Sequence, residues 1–501
     1  MNQKKIGVLL SYGNIIATIA VNLLYTPVML QLVGPNAYGV YSISNSVIAY
    51  FSLLYTGMTS TYLNYYAGYK KKEDHLAIAR LNSLFLILFS LLGLLALVLG
   101  LIVSFNLECI LGKGLTDEEY QLAHQLFIIM SVNMALLMPK TVFATLVVSQ
   151  ERFIFIKGLS LIDTILMPLL VLPILYMGIG VVGISVVMLF LTVVDLFINI
   201  FYCLNRLNCR FCFAKVPFYL LSGMLTFSVY IIIQGIMDQF NWQLAKLLLS
   251  NFADAKAIAI YSVGMQFSML YISFASAFSG VVVPQIYDLV SRGDKTALNK
   301  LWINVGRYQF FVTYFIFLGF ILWGREFIQL WAGNDYIDAY WVAVLLMVPL
   351  VLHLPQMTGI EILRAYNKHA HWVIVHLLFA IAGFGLCIPL TKTYGVLGVS
   401  GGCSITMFIA ANIYDNWYYY KAVCLDVKTF FMEIFKLFPA IFITAIGGYA
   451  ISKCLVVTAW RDFALVSLIF ILLYAASMFF FGLNRQEKER VKEILAGKRY
   501  L

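Results

Sequence analysis

Long apolar runs, each closed by a short polar or charged connection, follow one another along the whole chain. They fall near 6–33, 36–67, 77–106, 118–148, 157–176, 181–204, 217–249, 256–287, 298–324, 338–366, 371–391, 396–420, 430–452 and 461–483. A helix rises about 1.5 Å per residue, so about 20 apolar residues cross a hydrocarbon core of about 30 Å. The pattern predicts an all-α membrane protein of about fourteen transmembrane helices, because backbone polar groups in lipid must be satisfied within the segment. The first run opens at Ile6 behind Lys4 and Lys5, as a signal peptide does. It continues to Val33 without a small-residue cleavage site and reads as a retained span. The connections near 108–120 and 205–217 hold about a dozen residues, too few for a separate globular domain.

Charge fixes the orientation. Connections on the side of the N-terminus carry Lys70-Lys71-Lys72, Arg80, Arg152, Lys157, Arg206, Arg210, Lys215, Arg292, Lys295, Lys300, Arg364, Lys368, Lys421, Lys428 and a basic tail. The opposite connections carry Lys113, Lys256, Arg325, Lys392, Lys453 and Arg461. This asymmetry predicts both termini in the cytoplasm. The formal net charge of +10 is therefore a signature of orientation, and nucleic acid is not an expected partner. With 62% hydrophobic and 12% charged residues, the chain has about half the charged share of an ordinary soluble protein. Cys209-x-x-Cys212 has the spacing of half a zinc site, but no second pair lies nearby, so free thiols and no metal are expected.

The chain also repeats itself. Tyr41-Ser42 recurs as Tyr261-Ser262, and Asp74, Ala77, Arg80 and Leu81 recur as Asp294, Ala297, Lys300 and Leu301. Pro139 matches Pro355, and the segment from Gly180 to Ser185 matches that from Gly395 to Ser400. The anchors keep their order, which predicts a duplication of six spans with parallel orientation, as in transporters whose halves are related by an axis along the membrane normal. The expected organisation is an N-terminal lobe at 1–215 (spans 1–6), a C-terminal lobe at 216–425 (spans 7–12), spans 13–14 at 426–484 and a basic cytoplasmic tail at 485–501.

Polar positions inside the spans suggest where cargo would pass. Gln234, Asp238, Trp242 and Lys246 recur every fourth residue in span 7, on one helix face. Subtracting the repeat offset gives Asn14, Thr18, Asn22 and Thr26 in span 1, all polar. These residues are expected to line a cavity, with helix–helix packing as the alternative. Ionisable groups at a bilayer centre cost about 2.5–3.5 kcal/mol on insertion scales, so each is a functional candidate. Lys140, Lys246 and Arg364 would suit an anionic head group such as a pyrophosphate. Asp163, Asp195, Asp238 and Glu361 are candidates for coupling to H+ or Na+, with a structural polar contact left open for Asp163 and Asp195. Glu361 and Arg364 can pair at i, i+3. His353 and His376 stand as single candidates, and Arg307 and Lys436 are expected to snorkel to the interface.

No nucleotide-binding loop, His-Glu-x-x-His or Gly-x-Ser-x-Gly motif is present, so neither catalytic residues nor a cofactor are expected, and energy would come from a gradient. Leu32-Val-Gly-Pro-Asn-Ala-Tyr-Gly-Val-Tyr-Ser42 entering span 2, Ala257-Ile-Ala-Ile-Tyr-Ser-Val263 entering span 8 and the Gly180–Ser185 turn resemble the Wzx-type polysaccharide and O-antigen flippases. These belong to the multidrug/oligosaccharidyl-lipid/polysaccharide (MOP) exporter superfamily. Family members typically carry Asp or Asn ahead of the span 7–8 turn, where Asp238 or Asn241 is nearest; Ala259 stands where Gly is frequent. The resemblance implies two six-helix lobes around a cationic cavity. Its implied cargo is a polyprenyl-pyrophosphate-linked oligosaccharide, turned from the inner to the outer leaflet of a bacterial cytoplasmic membrane for cell-surface polysaccharide biosynthesis. Membrane lipids, a polysaccharide polymerase and chain-length proteins are the implied partners. The rivals are an ion-coupled multidrug exporter of the same superfamily, which usually has twelve spans, a lipid II flippase, and a membrane polymerase, which would need a longer outside loop.

Overall fold

The computed structural model describes residues 3–54, 58–112, 114–484 and 487–489. Most of the tail at 485–501 lies outside them. Helices run Gln3–Val33 (α1), Pro35–Tyr50 (α2), Met58–Lys71 (α3), His75–Phe105 (α4), Leu107–Leu111 (α5), Asp117–Ser149 (α6), Phe153–Tyr176 (α7), Gly180–Phe201 (α8), Leu220–Trp242 (α9) and Leu244–Phe252 (α10). They continue as Ala255–Arg292 (α11), Lys295–Ala332 (α12), Ala339–His353 (α13), Thr358–Ala365 (α14), His369–Phe408 (α15), Asp415–Val423 (α16), Val427–Phe435 (α17), Phe438–Cys454 (α18) and Trp460–Ser477 (α19). No strand occurs among the described residues.

Among those residues, 10 helices are long and apolar enough to cross a membrane, or 11 if α17 and α18, bent by 43°, count as one span. The expected fourteen is a larger number because several apolar runs are not single straight helices. The run 36–67 is divided between α2 and α3, and 217–249 between α9 and α10. Conversely, His369–Val423 counts as one span of 55 residues although Gly395, at φ 56°, breaks its helical path.

The repeat anchors are turns of equal geometry. Asp74 caps α4 by accepting from Ala77 N at 2.9 Å, and Asp294 caps α12 by accepting from Ala297 N at 2.9 Å. Both follow a left-handed residue, Glu73 at φ 54° and Gly293 at φ 69°. An N-cap carboxylate satisfies amides that the first turn leaves unpaired, which accounts for an Asp at both places. Gly180 and Gly395 share φ 67° and φ 56°, a region closed to most side chains. The Pro139/Pro355 pair differs: Pro139 lies within unbroken α6, whereas Pro355 sits in a 3-10 turn, Leu354–Gln356, between α13 and α14.

The chain forms two compact units, Met1–Ser262 with His376–Val399, and Val263–Val375 with Ser400–Leu501. In the first unit α6 is central, packing on α2, α4 and α8, while α1 lies along α7. Gly39 lets α2 approach the start of α11 so closely that a Cβ there would collide with the Ala255 carbonyl oxygen. In the second unit α12 is central. Trp302 stacks on Phe430 at 4.3 Å between ring centroids, and Phe315 on Phe470 at 5.4 Å. Arg307 is not a snorkelling side chain. It is buried, donating to Glu487 Oε1 at 2.9 Å, Glu433 O at 2.8 Å and Gly482 O at 2.7 Å, and so ties both final spans to α12.

Candidate functional site

In the first unit, α6, α7 and α8 each supply one ionisable side chain to a common cluster. Pro139 cannot donate to the carbonyl four residues earlier, which loosens α6 where Lys140 follows. Lys140 Nζ pairs with the Asp195 carboxylate of α8, which is buried. Asp163 of α7 brings its carboxyl against that of Asp195. Two acids thus face one base at a depth where an uncompensated charge is costly. Asn199, one turn after Asp195, donates to the Asp195 carbonyl at 2.8 Å and braces this part of α8.

The span 1 stripe divides. Asn14 Nδ2 donates to Ser160 Oγ at 2.8 Å, and Thr164 Oγ1 donates to Asn14 Oδ1 at 2.9 Å, so Asn14 is engaged by α7. Thr18 is exposed, Asn22 half-buried and Thr26 buried. The span 7 stripe is interrupted between α9 and α10 at Gln243, whose side chain accepts from Ser46 Oγ at 2.8 Å. Gln234 and Trp242 are half-buried and Asp238 exposed on α9. Lys246 belongs to α10 and is 6% exposed, and no described carboxylate pairs with it. A buried ammonium without a counter-charge is strongly disfavoured, so this position is a natural receiver for an anion.

In the second unit, Arg364 Nη1 donates to Glu361 Oε1 at 2.7 Å, the i, i+3 pair expected on α14. His353 finds a partner that the sequence reading missed. Its Nδ1 lies 3.7 Å from Asp415 Oδ2, and Trp372 Nε1 donates to Asp415 Oδ1 at 2.7 Å. Asp415 is fully buried. An acidic residue inside the apolar run 396–420 was the available signal for it. Two basic–acidic pairs thus join helices within the units, Lys140–Asp195 between α6 and α8 and His353–Asp415 between α13 and α16. His376 is buried on α15. Among the described residues no group of three or more His, Cys, Asp or Glu could hold a metal ion.

Comparison with known proteins agrees with the fold. A family profile described as polysaccharide biosynthesis protein matches residues 28–340. A Shigella flexneri protein, provisionally named an O-antigen transporter, is 19% identical over 393 residues, covering 77% of this chain and 90% of its own. Among solved structures, the lipid II flippase MurJ in an inward closed conformation superposes with a TM-score of 0.74 at 16% identity, covering 95% of this chain and 98% of its own. An inward-facing multidrug resistance MATE family transporter of the MOP superfamily reaches a TM-score of 0.66 at 14% identity, over 83% of this chain and 99% of its own. The resemblance to the Wzx-type branch of that superfamily, expected from the span 2 and span 8 motifs, is borne out.

Proposed function

The chain belongs to the polysaccharide biosynthesis protein family and is a multi-pass membrane transporter rather than an enzyme, and from that premise we propose that it flips a polyprenyl-pyrophosphate-linked oligosaccharide from the inner to the outer leaflet. The observation that carries this reading is Lys246: a buried cation with no described counter-charge suits a cargo that brings its own negative charge. The pyrophosphate would meet Lys246 while the lipid tail stays among apolar helices. Lobes at 1–215 and 216–425 would rock in alternating access, in keeping with parallel repeats. Both termini would lie in the cytoplasm of a bacterial cell, as the loop charges favour.

Coupling falls to Lys140, Asp163 and Asp195. One lysine balances one of two carboxylates, and H+ or Na+ would balance the other. Binding and release of that ion would change the net charge of the cluster, a switch that spans α6, α7 and α8 can transmit. Asp238 and Glu361 are weaker candidates, since the first is exposed and the second is already paired with Arg364.

The superposition on the lipid II flippase MurJ covers 95% of this chain, against 83% for the inward-facing multidrug resistance MATE family transporter. This supports the lipid-linked cargo over the small-molecule exporter. The test is deletion of the gene. Lipid-linked repeat units should accumulate on the inner leaflet and surface glycan should be lost. Normal glycan export with raised drug sensitivity would overturn the reading.

A further inference from the structure

After α8 the chain tightens into a π-type turn, Tyr202–Arg206, and then reverses at Asn208, whose φ is 49°. Leu207 N donates to Tyr202 O at 3.1 Å and Cys209 N to Cys203 O at 3.0 Å, which folds Cys209 back over Cys203. The Cys203 thiol itself donates to the Phe143 carbonyl at 3.4 Å. Gln150 Nε2 points at Cys209 Sγ from 3.5 Å. Cys203 is fully buried, whereas Cys209 forms part of the wall of a cavity of about 800 Å³. Lys70, His75 and Arg210 line the same cavity, opposed by Glu73. Tyr62 and Tyr66 are the other titratable groups beside the thiols.

We propose that Cys209 is a reactive thiol, modified by small anionic disulfides that enter this basic cavity, and that Cys203 is its resolving partner. The neighbouring Cys203, and the Gln150 amide that donates to its sulfur, hold Cys209 below the ordinary thiol range against the effect of burial. Thiolate, not thiol, is the nucleophile in disulfide exchange. Two fixed cations, Lys70 and Arg210, against one carboxylate raise the local concentration of an anionic reagent. The sequence motif Cys209-x-x-Cys212 suggests another pairing, but the turn at Asn208 gives Cys209 to Cys203 instead.

The chemistry balances as two exchanges. The Cys209 thiolate attacks one sulfur of the incoming disulfide, forming a mixed disulfide and releasing one thiolate. Cys203 attacks the Cys209 sulfur and passes its proton to the departing thiolate, forming the internal disulfide and releasing the second small thiol. The protein gives up two electrons and two protons, and the small disulfide becomes two thiols. Cys203 cannot take the first step because it is sealed from the cavity.

The experiment uses the full chain in nanodiscs with glutathione disulfide as probe, followed by non-reducing peptide mass spectrometry. Wild type should yield a Cys203–Cys209 crosslink, Cys203→Ser should stop at a glutathione adduct on Cys209, and Cys212→Ser should behave as wild type. Lys70→Gln with Arg210→Gln should slow the glutathione reaction severalfold while leaving alkylation by neutral iodoacetamide unchanged. The pH profile of that alkylation should place Cys209 below the exposed Cys109, Cys424 and Cys454 in wild type and move it up in Gln150→Ala, which keeps the test alive should Cys203→Ser fold poorly. A Cys209 profile matching those of the exposed cysteines, adducts only on them, or a crosslink to Cys212 would each overturn the proposal.

Discussion

Ser42 Oγ and Ser262 Oγ lie 2.6 Å apart in a buried hydrogen bond, although 220 residues separate them in the chain. That separation is the repeat offset itself: the two serines are the same position in successive copies, and each copy's Tyr-Ser anchor touches the other. Hydrogen bonds of this kind between membrane helices average about 0.6 kcal/mol. Ser42→Ala and Ser262→Ala should each lower the unfolding midpoint slightly, with the double variant less affected than the sum. Full additivity in a thermal-shift cycle would show that the two hydroxyls do not interact.

Gly39, three residues before Ser42, should tolerate no side chain. Gly39→Val drives carbon into the Ala255 carbonyl and should sharply reduce folded yield, measured by fluorescence-detected size exclusion. Gly68→Val, where a Cβ meets nothing within 4 Å, is the matched control and should fold. Equal yields would remove the close approach of α2 and α11 from the account.

The Lys140–Asp195 pair should behave as a buried ion pair. Losing one partner leaves the other charge stranded and costs about 3–5 kcal/mol, whereas replacing both by apolar groups is often near neutral. Lys140→Met should therefore be less stable than Lys140→Met/Asp195→Leu, read from denaturation midpoints. A double variant worse than either single would contradict the pairing.

Arg307 holds the last two spans to α12 through Glu433, Glu487 and the Gly482 carbonyl. Arg307→Gln should expose the segment after Gly482 to protease well before the rest of the protein. Unchanged digestion kinetics would mean that packing alone secures those spans.

Asp426 caps α17, accepting from Thr429 N at 3.0 Å and from the Thr429 hydroxyl at 2.5 Å. The hydroxyl bond first, then the backbone bond, holds its carboxyl below the ordinary range. A carboxyl depressed in the folded state stabilises above its unfolded value of about 3.9 and loses that contribution as pH falls through the folded value. Asp426→Ala should cost about 1 kcal/mol at neutral pH, with the gap to wild type closing in acid. A gap constant with pH would refute the cap.

Most helices were legible in the sequence because an apolar run bounded by charge has little else to become in a membrane. The repeat was legible at its turns, since Asp74 and Asp294 must cap and Gly180 and Gly395 must adopt positive φ. Side-chain pairing was less visible. A helix that is apolar on nearly every side gives no azimuth, so Lys140 could be read as a cavity residue and Asp195 as an ion-coupling candidate, with nothing to show that they belong together. Arg307 looked interfacial because its partners, Glu433 and Glu487, are more than a hundred residues away. The break at Gln243 was hidden because no Gly or Pro marks it, and the span 7 stripe was drawn as one helix.

The central claim is that an anionic lipid-linked saccharide crosses with help from Lys246. Its most direct measurement is reconstitution of the full chain into liposomes carrying a polyprenyl-pyrophosphate-linked oligosaccharide, with leaflet exposure read by an impermeant lectin. Wild type should equilibrate the lipid between leaflets, and Lys246→Met, folded to the same midpoint, should slow that exchange at least severalfold while Lys246→Arg retains much of it. Equal exchange by wild type and Lys246→Met, or none above empty liposomes under an imposed ion gradient, would contradict the account.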